Sequence, residues 1–211
     1  MADFFNRRSD SYDEHMRRSV ASFETFYEAV AQSIPRTEEP LRILDIGCGT
    51  GLELGPIFER VPHAQVTGID LSEQMLAQLR EKHADRLPQM TLIHGSYLET
   101  PLGESEYDYA LSVMTLHHLL PDRKRQLYGR IYQALKDGGK YVEGDYVVSV
   151  EEAAQLLSAY RERVEGDEEG AYHIDIPLTM EKQRALLLGV GFVEVEVVWE
   201  EGEAVVIVAA A

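Results

Sequence analysis

The chain has 211 residues, 45% of them hydrophobic, enough for one substantial core and too few for two independent domains. Thirty-seven acidic against twenty basic side chains give a formal charge of −17, which repels phosphate backbones and disfavours nucleic acid as a partner. The single cysteine, Cys48, excludes an internal disulfide and a cysteine-rich zinc site.

No apolar run approaches the ~20 residues of a membrane span. The opening MADFFNRRSDSYDEHM mixes both charge signs and lacks the apolar stretch of a secretion signal, so the expectation is a cytoplasmic protein with no membrane partner. From Ser11 to about Ile34, Val20, Phe23, Tyr27, Val30 and Ile34 recur at helical steps, predicting one amphipathic helix stopped by Pro35. Arg7-Arg8 with Arg17-Arg18, and Arg123-Lys124-Arg125, are the basic clusters, and their spacing reads as solvated helix faces.

Short apolar runs and helical patterns then alternate. Strands are predicted at Leu41–Ile46, Val66–Ile69, Met90–Ile93, Tyr107–Met114 and Tyr141–Val148. Helices are predicted over Leu52–Val61, after Ser72 as N-cap, and from Pro121 to a glycine C-cap at Asp137-Gly138-Gly139. This alternation implies an α/β fold with a doubly wound, mostly parallel sheet. The end of the chain departs from it: a helix over Met180–Leu188 is followed by Phe192–Trp199 and Ala204–Ala209, which read as an antiparallel pair. The predicted organisation is a single domain: an N-terminal helical lid (1–36), a cofactor-binding half (37–148), a cap insertion (149–177) and a C-terminal helix with a strand hairpin (178–211).

The first strand runs into Leu44-Asp45-Ile46-Gly47-Cys48-Gly49-Thr50-Gly51. Glycines there let the backbone turn sharply and let a ligand approach without a Cβ in the way, and the helix start behind them supplies unpaired N–H groups. A dinucleotide fingerprint would place glycine at position 52, where Leu52 stands. Asp70 ends the second strand, where a carboxylate can accept ribose hydroxyls. Asp45 precedes the loop; a carboxylate there suits a ligand with a cationic ammonium group and would repel a pyrophosphate.

LDIGCGTG, then GIDLS at 68–72, HGSYLE at 94–99, YDYALSVMTLHHL at 107–119 and LKDGGKYVEGD at 136–145, resembles the motif series of class I S-adenosylmethionine-dependent methyltransferases. The resemblance covers about residues 41 to 148. It implies a Rossmann-like seven-stranded sheet of order 3-2-1-4-5-7-6, with the last strand antiparallel, and S-adenosyl-L-methionine as cofactor with S-adenosyl-L-homocysteine as product.

Carried over by position, the resemblance sets Gly47, Cys48, Gly49, Thr50 and Gly51 at the methionine moiety, with Asp45 facing its ammonium group. Asp70 would hold the ribose, Leu71 and Met75 the adenine, and Ser96 and Tyr97 the adenine edge. Many relatives carry aspartate where Ser96 stands. Thr115, His117 and His118 would lie near the sulfonium. The N-terminal segment resembles the family's cofactor-covering helix, so Tyr12 would pack over the ligand and Arg17 reach its carboxylate.

His117 and His118 are the candidate catalytic bases, since an imidazole titrates near working pH. Tyr146, Tyr160, Tyr172 and His173 are candidates to line the acceptor pocket. His15, His63, His83, His94 and His173 show no metal-ligand spacing with one another, and the adjacent His117 and His118 would need further ligands from elsewhere, so no metal is expected. The resemblance implies transfer of a methyl group by in-line displacement to a small-molecule acceptor, by a monomer or homodimer. A tRNA or protein methyltransferase, or a non-catalytic binder of the same cofactor, is the alternative.

Overall fold

A computed structural model of the chain describes residues 6, 9–20, 22–166 and 175–211. Its strands are β1 (Arg42–Ile46), β2 (Gln65–Asp70), β3 (Met90–His94), β4 (Tyr107–Val113), β5 (Leu135–Tyr146), β6 (Glu194–Glu201) and β7 (Ala204–Ala210). They form one sheet in the order β3-β2-β1-β4-β5-β7-β6. Pairing is parallel from β3 to β5, and β7 runs antiparallel to both its neighbours. This is the Rossmann-like order that the motif series implied.

Burial explains which runs became central. In β1, Ile43, Leu44 and Ile46 are fully buried, as a parallel strand covered on both faces requires. By contrast, Glu194, Glu196, Glu200 and Glu201 put charge along β6, the exposed edge, where it discourages pairing with another chain.

The helices are α1 (Tyr12–Ser19), α2 (Phe23–Gln32), α3 (Leu54–Arg60), α4 (Glu73–Lys82), α5 (Pro121–Ala134), α6 (Val150–Gly166) and α7 (Met180–Leu188). One face of the sheet is covered by α2, α3 and α4 through Phe26, Val30, Ile57, Phe58, Leu76 and Leu79. The other is covered by α5 and α7 through Leu127, Tyr128, Ile131 and Leu187. Among the described residues, no helix is long and apolar enough to cross a membrane.

Three expectations are corrected. The helix predicted from Ser11 to Ile34 is two helices: the chain turns extended at Val20 and left-handed at Ser22, φ 47°. The apolar face survives the break, with Val20, Phe23, Tyr27, Val30 and Ile34 all buried, so periodicity alone could not reveal it. The break leaves α1 free to turn toward the glycine loop.

Asp137-Gly138-Gly139 does not cap α5. That helix ends at Ala134, and Leu135 already pairs with Tyr107 in the sheet. The glycines instead carry a register shift in β5, where Gly138 takes φ +75°. Finally, Lys124 is not on a solvated face: its side chain is fully buried. It donates to Gln183 Oε1 at 3.0 Å and lies 3.9 Å from Glu143 Oε1. Arg7 and Arg8 lie outside the described residues.

Candidate active site

β1, β2 and β4 end at one edge of the sheet, and a cavity of about 270 Å³ opens there. Ligands bind outside the carboxyl ends of strands in such sheets because helix starts and loops converge there. The glycine loop forms one wall. Gly47, Gly49 and Gly51 hold φ of 69°, 49° and 69°, a region open to glycine and strained for other residues. Two amides anchor the turn, Gly47 and Cys48 both donating to Ile69 O at 2.8 and 3.2 Å.

Asp70 reaches back to the same loop. Its Oδ2 accepts from Gly49 N at 2.9 Å and its Oδ1 from Ser72 N at 2.7 Å. Burial raises its pKa, and these two amides oppose that rise. The Ser72 hydroxyl caps α4 by accepting from Met75 N at 3.1 Å, which fixes Leu71 and Met75 against the cavity. Ser96 and Tyr97 line the far side, and Tyr12 from α1 completes it.

Asp45 and Glu53 flank the loop in sequence and are 1% and 4% exposed. Among the described residues, none donates a hydrogen bond to either oxygen of Asp45 or to Glu53 Oε1. Burial and the neighbouring charges of Glu53 and Asp70 push the Asp45 carboxyl well above its ordinary range, and burial raises Glu53 as well. Two buried acids set against one another, with three of their four carboxylate oxygens unmatched, fit a cationic group delivered by a ligand. With the ribose-type carboxylate of Asp70 and the apolar slot of Leu71 and Met75, the residues fit S-adenosylmethionine.

Of the residues expected at the cofactor, Tyr12, Gly47, Gly49, Asp70, Leu71, Met75, Ser96, Tyr97 and Thr115 line the cavity, joined by His118. Others are placed differently. The Thr50 hydroxyl donates to Asp13 Oδ1 at 2.5 Å, tying α1 to the loop. The Gly51 carbonyl oxygen accepts from His83 Nε2 at 2.9 Å, and the glycine packs on Leu54 and Leu79. Cys48 is buried, its thiol pushed up by burial, and its Sγ fills the space above Gly68. It is a space-filling thiol, not a nucleophile. Arg17 lies over the Phe23 ring and 3.6 Å from Glu24, away from the cavity lining.

His117 is buried behind the cavity. Its Nδ1 lies 2.5 Å from Asp145 Oδ1, and its backbone N–H donates to Asp145 Oδ2 at 2.9 Å. Burial alone would lower His117, but the charge and hydrogen bond of Asp145 outweigh it and hold the imidazole above its usual value. Burial works to raise Asp145, yet His117 holds it down at about 2. Tyr146 packs 5.5 Å from the His117 ring without lining the cavity. Tyr160 sits half-buried on α6, also off the cavity lining, while Tyr172 and His173 lie outside the described residues.

Sequence reasoning missed Met114, Leu98 and Leu119 in the lining. Met114 takes φ 50°, a strained value for a side chain of its kind, and its N–H donates to Gly144 O at 2.7 Å. It missed Glu53 too, although an acid set between Leu52 and Leu54 just past the glycines is a readable signal. Asp175 was also missed: it approaches both histidines from the end of the insertion.

Comparison with known proteins agrees with this geometry. Residues 43–139 match the family model described as a methyltransferase domain. An uncharacterised methyltransferase of Geobacillus sp. strain WCH70 is 29% identical over 172 residues, 82% of this chain and 73% of the relative. A demethylmenaquinone methyltransferase of Listeria monocytogenes serotype 4a is 33% identical over 140 residues, 64% of this chain and 57% of the relative. Haemonchus contortus phosphoethanolamine N-methyltransferase 2, solved with phosphomonomethylethanolamine and S-adenosylhomocysteine, superposes with TM-score 0.62 at 25% identity, over 82% of this chain and 38% of that one. The chain thus spans a little over half of the Listeria relative and well under half of the Haemonchus one. Residues 43–139 thus match a methyltransferase domain, and in motif order and reversed last strand the chain is similar to the class I S-adenosylmethionine-dependent methyltransferases.

Proposed function

We propose that the chain methylates a small-molecule acceptor that enters the cavity beside His118. The observation that carries this reading is the cavity itself, where glycine backbone, the Asp70 carboxylate and an apolar slot converge at the ends of β1, β2 and β4. The bound cofactor supplies an already activated methyl group. What remains for the protein is to bind, align and keep water out, and alignment supplies ~7–11 kcal/mol in favourable cases.

In this reading Asp45 and Glu53 receive the ammonium group and Asp70 the ribose hydroxyls. Leu71 and Met75 flank the adenine, with Ser96 and Tyr97 at its edge. Tyr12 covers the slot, held there because Asp13 ties α1 to Thr50. His118 lines the cavity, and in this reading it takes a proton from the acceptor. α1 acts as the lid and the 149–177 insertion as the cap that shapes the acceptor pocket.

Two facts support a small acceptor. The formal charge of −17 opposes a phosphate backbone. The Listeria and Haemonchus relatives are named for demethylmenaquinone and phosphoethanolamine.

The test is calorimetric titration with S-adenosylmethionine and S-adenosylhomocysteine, on wild type and Asp70→Ala, followed by methyl transfer to a panel of small acceptors. Saturable binding, weakened at least tenfold in the variant, and transfer to a small acceptor are expected. Transfer only to RNA or protein would overturn the acceptor class. A folded wild type that binds neither ligand would overturn the cofactor site.

A further inference from the structure

The rim of the cavity carries a second constellation. His117 and His118 sit on the short turn Leu116–His118 between β4 and α5, and both side chains are buried. Asp175 comes from the other end of the insertion and is half exposed. Its Oδ1 lies 3.1 Å from His118 Nδ1 and 3.7 Å from His117 Nε2. One ligand atom from each residue lies within 4.8 Å of the others.

The two imidazoles therefore converge on a single carboxylate oxygen from two directions, their rings 3.9 Å apart and crossed at 70°. Donors bound to one ion at ~2.0–2.2 Å stand roughly 3 to 3.5 Å from each other. The shorter contact already has that spacing, the longer exceeds it by a few tenths of an ångström, and all three donors lie within 4.8 Å of one another, so an ion would draw the two imidazoles together around it. A simple hydrogen bond to Asp175 would need only one imidazole.

The surroundings hold the ligand atoms in place. Asp145 grips the far nitrogen of His117, which aims Nε2 outward at Asp175. A carboxylate on the non-ligating nitrogen is the usual partner of a metal-binding histidine, because it fixes the tautomer and the ring. Asp175 is fixed to the same turn by Ile176 N, which donates to His117 O at 2.6 Å. The insertion also closes onto the sheet nearby, Val147 bridging to Leu178.

The geometry points to a divalent transition-metal site made by His117 Nε2, His118 Nδ1 and Asp175 Oδ1, with its open positions toward the cavity. Two imidazoles and one carboxylate on one face of an ion leave room for exogenous ligands. An acceptor oxygen bound there would be held at the His118 edge of the cavity with its proton acidified by the ion, which then takes the place of His118 as the activating group. That use rests on the methyltransferase reading, whereas the site does not.

The test uses the full chain, stripped by a chelator and titrated with Co²⁺ by calorimetry and visible absorption. One Co²⁺ per chain with ligand-field bands of mixed imidazole and carboxylate coordination is expected, displaceable by Zn²⁺. Asp175→Ala and His118→Ala should each weaken uptake at least tenfold, with circular dichroism unchanged. Asp175→Ala should also bind S-adenosylhomocysteine as wild type does. No stoichiometric uptake by wild type, or uptake equal in the Asp175→Ala/His118→Ala double variant, overturns the site. Cofactor binding without Co²⁺ uptake removes the metal and leaves the methyltransferase reading intact; uptake without cofactor binding does the reverse.

Discussion

Thr115 and Gly47 close on each other across the ends of β4 and β1. The threonine hydroxyl donates to Gly47 O at 3.2 Å, and a Cβ on Gly47 would lie 2.4 Å from Thr115 Cγ2. No side chain larger than hydrogen fits there, and the φ of 69° adds about 1–2 kcal/mol of strain for any other residue. Gly47→Ala should therefore weaken S-adenosylhomocysteine binding at least tenfold by calorimetry. Adding Thr115→Ala should recover part of the loss. Full affinity in Gly47→Ala alone would show the contact to be slack.

Asp45 and Glu53 make the apo protein sensitive to pH. Both carboxyls are raised in the folded state, so the native chain binds more protons than the unfolded one above the ordinary carboxylate range. Stability is then greatest where both are protonated and falls as pH rises through the folded values. Glu53→Gln should stabilise the apo protein at neutral pH, because the neutral amide removes the cost of ionising a buried acid beside Asp45. Thermal melts taken upward in pH from the ordinary carboxylate range should fall in wild type and less so in the variant. The same variant should bind the cationic cofactor more weakly.

Asp13 links three elements: it accepts from Thr50 and from Lys82. Asp13→Ala and Thr50→Val should each raise the cofactor dissociation constant severalfold by loosening Tyr12. Because they remove one contact, the double variant should be little worse than either, with a coupling of about 0.5–3 kcal/mol in a double-mutant cycle. Additive effects would mean that the contact does not hold α1.

Lys124 is the cation of a buried network. Gln183 Nε2 donates to Glu143 Oε1 at 2.6 Å and Tyr128 OH to Glu143 Oε2 at 2.7 Å. Burial raises Glu143 to about 7, with Lys124 opposing that rise. Lys124→Met leaves the acid without its counter-charge and should cost about 3–5 kcal/mol in urea unfolding at neutral pH. The cost should shrink toward acid pH, where Glu143 is protonated in both states. Adding Glu143→Gln should restore much of the stability.

Deleting 149–177 and rejoining the chain tests the cap. α6 exposes much of its surface, so the sheet should still fold and bind S-adenosylhomocysteine. Turnover and acceptor choice should change. If both are as in wild type, the insertion shapes no acceptor pocket.

The glycine loop, the acid at the end of β2 and the order of the motifs are local: each is a run of neighbouring residues whose backbone needs appear in their own sequence. They were legible, and so was the sheet, because buried parallel strands and amphipathic helices leave distinct periods. The break between α1 and α2 was not, since both halves keep the same apolar face. Lys124 could not be read as buried either, because its partners Glu143 and Gln183 come from β5 and α7.

The site divides the same way. Sequence alone pointed to the cofactor class, through the order of the motifs that starts at the glycine loop. Only tertiary structure decided that Thr50 serves Asp13, that Arg17 turns to Phe23, and that Asp175 meets His117 and His118. Each of those depends on segments distant in the chain, and side-chain pairing between them is fixed by how the sheet edge and the insertion pack, which no local spacing encodes.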